Sequence, residues 1–166
     1  MDSSKLNEWM QVVGIFAVVA SLVFVGLQMR QSEEIAIAAI YQERSATGID
    51  FFKDLAQSEI QRRVYGERLV GRWGLPSGLD ENTSTEEFGS QYLFARAGML
   101  TFDNVHFQYE AGFLSEEAWI GRESNLRRAL TSPVWQFMVE RDGHTFRSSF
   151  RQLCETLIAE NESAAK

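Results

Sequence analysis

Asp103, His106 and Glu110 stand at steps of three and four, so a helix through them would carry two carboxylates and an imidazole on one face. Side chains of these types at that spacing can ligate a metal ion or tune a general base. His106 also falls on the apolar stripe of the same segment, and a core histidine held by a neighbouring carboxylate is the preferred reading. The only other histidine is His144, so a multi-histidine centre would need several subunits. No catalytic residue, metal or cofactor is assigned on this basis, and the expectation is a protein that is not an enzyme. Glu33 and Glu34 are adjacent acids that, repeated around an oligomer, could form a cation ring at the mouth of a pore. Solvated charges on a helical stalk explain them more simply. Trp119 and Trp135, with Arg127 and Arg128 between them, could make an interaction patch, but at helical spacing such aromatics ordinarily belong to a core and such arginines to a solvated face. There is no nucleotide-binding glycine loop, no nucleophile elbow and no zinc-protease motif.

The elements that must position these residues begin with a long apolar run. Residues 9–29, WMQVVGIFAVVASLVFVGLQM, hold no charge and lie between Glu8 and Arg30. At about 1.5 Å of rise per residue, this length matches a bilayer core of about 30 Å. Trp9 stands where an interfacial aromatic anchor belongs. A cleaved signal peptide fits less well, because Lys5 is offset by Asp2 and Glu8 and the apolar run continues past the small residues near Ala20. A buried core helix is the remaining alternative. Lys5 on one side against Arg30 and Arg44 on the other biases the C-terminal part toward the cytoplasm.

Within the run, Gln11, Gly14, Ala17, Ser21 and Gln28 follow at steps of three, three, four and seven, which places them on one stripe. Helices in hydrocarbon associate through small residues that permit close approach and through amide or hydroxyl hydrogen bonds, and this stripe offers both. The same five residues could instead line a pore. QSEEIAIAAIYQERSAT follows without a breaker, so the membrane helix is expected to continue as a stalk into the mid-forties, its seam carried on by Ser32, Ile35, Ala39, Gln42 and Ala46.

Residues 48–160 are expected to form a helical bundle. A first stretch breaks near residues 56–58, and residues 71–83 supply turn chemistry with Gly74, Pro76, Gly78, Asp80 and Asn82. Ser84 and Glu87 read as a capping box. Phe88, Tyr92, Ala95, Met99, Phe102, His106, Tyr109 and Phe113 then alternate steps of four and three, the mark of one buried face, which Phe94, Leu100 and Phe107 would widen. Gly112 is placed to end that helix in a left-handed turn, and Ser115 to cap the next. Ser132 and Pro133 open another, Gly143 stops it, and Thr145 is expected to open the last, with a frayed tail at residues 161–166. No period-two alternation appears, so the fold class is all-α: one N-terminal transmembrane helix with its stalk over residues 1–47, then a soluble helical bundle.

Composition agrees with a folded chain. Of 166 residues, 45% are hydrophobic and 12% aromatic, well beyond what a disordered segment carries. The single cysteine, Cys154, rules out an intramolecular disulfide and is expected to be buried and inert. A net charge of −7 argues against nucleic acid as a partner, because phosphate binding needs a concentrated basic surface.

GIFAVVASLVFVGLQMRQSEEIA and FDNVHFQYEAGFLSEEAW together resemble a widespread group of uncharacterised bacterial membrane proteins with one N-terminal membrane helix and a helical C-terminal domain. The resemblance covers most of the chain and implies this architecture in a bacterial inner (plasma) membrane, with no assigned activity. The functional expectation is a self-associating, membrane-anchored scaffold or regulatory protein. Its partners would be the lipid bilayer, further copies of itself and a cytoplasmic protein. The alternative is an oligomeric channel or transport component.

Overall fold

The computed structural model describes residues 3–80 and 82–164, with side chains described from Asn7 onward. The helices in chain order are α1 (Ser3–Gln57), α2 (Glu59–Trp73), α3 (Thr85–Glu110), α4 (Glu116–Ala129), α5 (Pro133–Asp142) and α6 (Ser148–Ala164), with a 3₁₀ turn at Gly143–Thr145 before α6. Among the described residues there is no strand, and the fold is all-α. The chain divides into two compact units, Met1–Tyr41 and Gln42–Lys166.

The first unit is helical throughout its described length. One helix, Asn7–Gln57, is long and apolar enough to cross a membrane, and no part of its apolar window is buried. A core helix would have its apolar face covered, whereas the side chains of this window are exposed. Lys5, used above for orientation, lies outside the residues whose side chains are described.

The second unit opens with the end of α1, which runs past the expected stop in the mid-forties to Gln57. Gly48 costs an interior helix up to about 1 kcal/mol relative to alanine, but here it makes room: a Cβ at that position would meet the Leu100 side chain at 2.9 Å. The packed face is therefore Ser45, which is buried, together with Gly48 and Phe52, while Gln42 and Ala46 of the expected seam are exposed. Arg62 fixes the break at Ser58 by donating to the free carbonyls of Ala56 and Gln57 at 2.9 and 3.2 Å and pairing with Glu86 at 2.8 Å. One guanidinium thus serves two carbonyls at the end of α1 and a carboxylate in the first turn of α3.

α2 crosses α3 at backbone contact. A Cβ on Gly66 would collide with the Thr85 carbonyl, and one on Gly89 with the Arg62 carbonyl, so both positions require glycine for close approach. Ser84 caps α3 by accepting from Glu87 N–H at 3.1 Å, the serine half of the expected capping box, while the Glu87 carboxylate accepts from Gln91 at 3.4 Å. α3 is the centre of the core: Phe88, Tyr92, Ala95 and Met99 are buried against Leu126 of α4, Val134, Phe137 and Met138 of α5, and Phe150, Cys154 and Leu157 of α6. Two residues depart from the expected buried face: Phe113, which lies beyond the end of α3 and is exposed, and Phe94. Phe94 is 71% exposed, at the edge of an open recess that it shares with Gly98, Phe102 and Trp135.

Gly112 adopts a φ of +78°, and the chain behind it closes with Phe113 N–H donating to the Gln108 carbonyl at 2.8 Å. Ser115 caps α4 by accepting from Ala118 N–H at 3.3 Å. Thr145 does not open the last helix. Its hydroxyl donates to the Asp142 carbonyl at 2.7 Å within the 3₁₀ turn, and α6 starts at Ser148. The helix continues to Ala164, so the expected fraying does not begin at residue 161; Ala165 and Lys166 lie outside the described residues.

Candidate functional site

The last turns of α3 carry Asp103, His106 and Glu110, and the segment entering α6 brings a fourth member, Arg147, into their midst. Arg147 donates through Nε to Asp103 Oδ1 at 3.0 Å, through Nη1 to Glu110 Oε2 at 2.6 Å, and through Nη2 to the Asp103 carbonyl at 3.1 Å. Its Nη2 also stands 3.1 Å from His106 Nδ1. A guanidinium can only donate, so Nδ1 must accept and the neutral ring carries its proton on Nε2. Ser149 adds a donor to Glu110 at 3.1 Å. The imidazole lies between Trp119, 5.1 Å away between centroids, and Phe150 at 5.8 Å, and Tyr109 stacks on Trp119. The guanidinium also faces the Phe107 ring at 5.2 Å.

Electrostatics follow from that geometry. Burial in the aromatic slot pushes the His106 pKa down, Glu110 opposes this, and Arg147 reinforces it. Burial works to raise Glu110, but hydrogen bonds from Arg147 and Ser149 and the nearby imidazole hold its carboxyl below the usual range. The three residues foreseen on one face are thus brought together, but around a resident cation. A metal ion would have to displace Arg147, and with Nδ1 accepting from Arg147 the ring has no lone pair left for a substrate proton. Among the described residues no group of three or more His, Cys, Asp or Glu is placed to hold a metal. What the arrangement does do is lock α6 onto α3: the buried carboxylate of Asp103 is neutralised by a residue from another element.

A second polar cluster was not foreseen. The Tyr92 hydroxyl donates to Asp142 Oδ2, and Arg96 donates to the Thr145 hydroxyl at 2.7 Å while its guanidinium lies 4.7 Å from the Phe146 ring. Burial, and then the Asp142 carboxylate, raise the Tyr92 phenol well above its ordinary value, so it remains a donor. This cluster ties α3 to α5 and the 3₁₀ turn. Neither Arg147 nor Asp142 has a local sequence signature; each acquires its role from a helix about forty to fifty residues away.

Of the remaining predicted residues, Gln11, Gly14, Ala17, Ser21 and Gln28 are all exposed on the first unit. Ser21 donates its hydroxyl to the Ala17 carbonyl at 2.8 Å, which leaves its oxygen to accept. Gly14 has nothing within 4 Å of a would-be Cβ, and an open notch of about 470 Å³ lies over Gln11, Gly14, Ile15, Val18 and Val19. Glu33 and Glu34 are exposed, and Glu34 pairs with Arg30 at 3.3 Å. Trp119 is buried, Trp135 half-buried, and Arg127 pairs with Glu123 and Glu160, so these residues do not form one patch. Cys154 is buried in the core, and burial pushes its thiol up to about 12, where it stays protonated and unreactive.

No protein-family profile matches the chain, and no curated protein or solved structure matches it.

Proposed function

We propose that the chain is a membrane-anchored, self-associating scaffold or regulatory protein, with residues 9–29 in the bilayer. The observation that carries this reading is the apolar window of α1, every described side chain of which is exposed. Apolar surface on that scale is unfavourable in water by about 25 cal/mol per Å² and is removed by a bilayer. Association through the stripe is supported by the notch at Gly14, where a second helix could approach closely, and by Ser21 and the two glutamines as polar partners. The arginine bias beyond residue 29 supports a cytoplasmic second unit, and the resemblance to bacterial single-pass proteins supports the inner (plasma) membrane as its site. In this reading the second unit, whose interior is fastened by Arg147 and Asp142, presents its outer surfaces to a cytoplasmic protein.

Fractionation tests the anchor. The full chain is expected in the membrane pellet after ultracentrifugation of lysed cells and released only by detergent; a monodisperse chain in the supernatant would overturn the proposal. Oligomeric mass in detergent tests the association. Ser21→Leu and Gln28→Leu together are expected to convert the assembly to monomer, and an unchanged mass would remove the stripe from the interface. Ion flux in liposomes carrying the purified chain would transfer the reading to a channel.

A further inference from the structure

Two recesses of similar size open on the second unit. One, of about 660 Å³, mixes apolar walls with charges that are largely paired among themselves, including Arg141 with Glu140 and Arg151 with Glu155. The other, of about 620 Å³, lies beside α3 where the end of α1 packs against it. Ile49 and Lys53 of α1, Phe94, Gly98 and Phe102 of α3, and Trp135 of α5 define its walls. Gly98 shapes it, since a Cβ there would strike the Trp135 ring, which also stands edge-on to Phe102 at 6.1 Å.

The chemistry of the second recess is unlike that of the rest of the surface. Its one hydroxyl, on Thr101, already donates to the Ala97 carbonyl at 3.1 Å. Phe94, at its lip, is 71% exposed. The wall residues span about eight positions on each helix, or about 12 Å at 1.5 Å per residue. The single cation of the rim is Lys53. Among the described residues its ammonium makes neither a hydrogen bond nor an ion pair, whereas the nearby Arg62 and Arg96 are engaged with Glu86 and Asp142. Asp50 and Asp54 neighbour Lys53 on α1 but do not line the recess.

An elongated apolar trough with one unpaired ammonium at its edge is complementary to a molecule with a hydrocarbon body and one anionic end. We infer that this groove binds a long-chain carboxylic acid, its tail packed against Phe94, Gly98, Phe102 and Trp135 and its carboxylate at Lys53. The site lies wholly within the second unit and does not depend on how the first unit is solvated.

Photolabelling of the full chain in nanodiscs of zwitterionic phospholipid, with a diazirine-bearing palmitic acid as probe, tests the inference. Adducts are expected on peptides covering residues 49–57 and 94–102, and palmitate is expected to compete about fivefold better than hexadecanol, the worth of one partly exposed ion pair. Lys53→Gln should erase that preference, and Thr101→Phe, made at an exposed position, should remove the adducts while the helical circular dichroism is unchanged. Adducts confined to residues 9–29, equal competition by acid and alcohol, stronger labelling by a diazirine phospholipid, or crosslinks from the groove to a second copy of the chain would each overturn it. Lys53 is an exposed residue of the helix surface, so Lys53→Gln is expected to keep the fold, with unchanged helical circular dichroism as the check.

Discussion

The same residue types meet opposite fates in the two units. In the first, Phe16 is 70% and Val19 51% exposed; in the second, Phe88 and Phe150 are 0% and Val134 1% exposed. Neither hydrophobicity nor helix propensity distinguishes these positions. What differs is the supply of neighbours: the second unit packs four further helices around α3, whereas the described residues of the first form a single helix. Burial belongs to the assembly of elements and not to the residue types along one helix.

That contrast can be broken from either side. The largest effect is expected for Phe150→Ala, which empties a fully buried site and should cost about 4 kcal/mol in urea unfolding followed by tryptophan fluorescence. Membrane partition of the same variant should be unchanged. Arg147→Ala should cost about 3 kcal/mol by the same measurement, since it withdraws the cation from the buried Asp103 carboxylate. Val19→Arg is the mirror experiment. With a charge near the middle of the apolar run it should cost about 3 kcal/mol of insertion, read as a shift from pellet to supernatant, and leave the unfolding of the second unit as it was.

Acidification sharpens the role of the Arg147 cluster. His106 takes up a proton less readily in the fold than in the unfolded chain, so its share of stability is complete above the ordinary value of 6.5 and declines as pH falls through the lower folded value. Glu110, also held low, adds a second decline below its ordinary 4.5. The charges facing the imidazole are Asp103 and Glu110 on α3, Glu123 on α4 and Arg147 ahead of α6. His106→Phe, which suits the slot between Trp119 and Phe150, should flatten the upper part of the stability-against-pH curve and spare the lower; an unaltered curve would assign the upper part to another group. The smallest effect is expected at Ser84→Ala, about 1 kcal/mol from the lost cap of α3.

Features written in short stretches of chain were legible in advance. The serine caps before α3 and α4, the left-handed Gly112, Pro133 at the head of α5 and the four-three rhythm of α3 each depend on residues within a few positions of one another. Where the reading went astray, a distant contact had intervened. The stalk is expected to end in the mid-forties, but Leu100 packs against Gly48 and the helix runs on to Gln57. Phe94 was counted as core because periodicity gives the angle of a face and not what lies opposite it. Asp103, His106 and Glu110 were rightly grouped on one face, yet their chemistry was set by Arg147, a residue that its own neighbourhood does nothing to mark.

From its sequence alone this protein acquires its helices, most of their ends, and one uncharged apolar run, because these follow from backbone propensity, capping and charge over one or two turns. Tertiary structure alone decided which cations meet which buried carboxylates, why Gly66 and Gly89 must be glycine, and where the trough beside α3 opens. Those outcomes depend on which helix surfaces come within a few ångströms of each other, and no local rule along the chain encodes that distance.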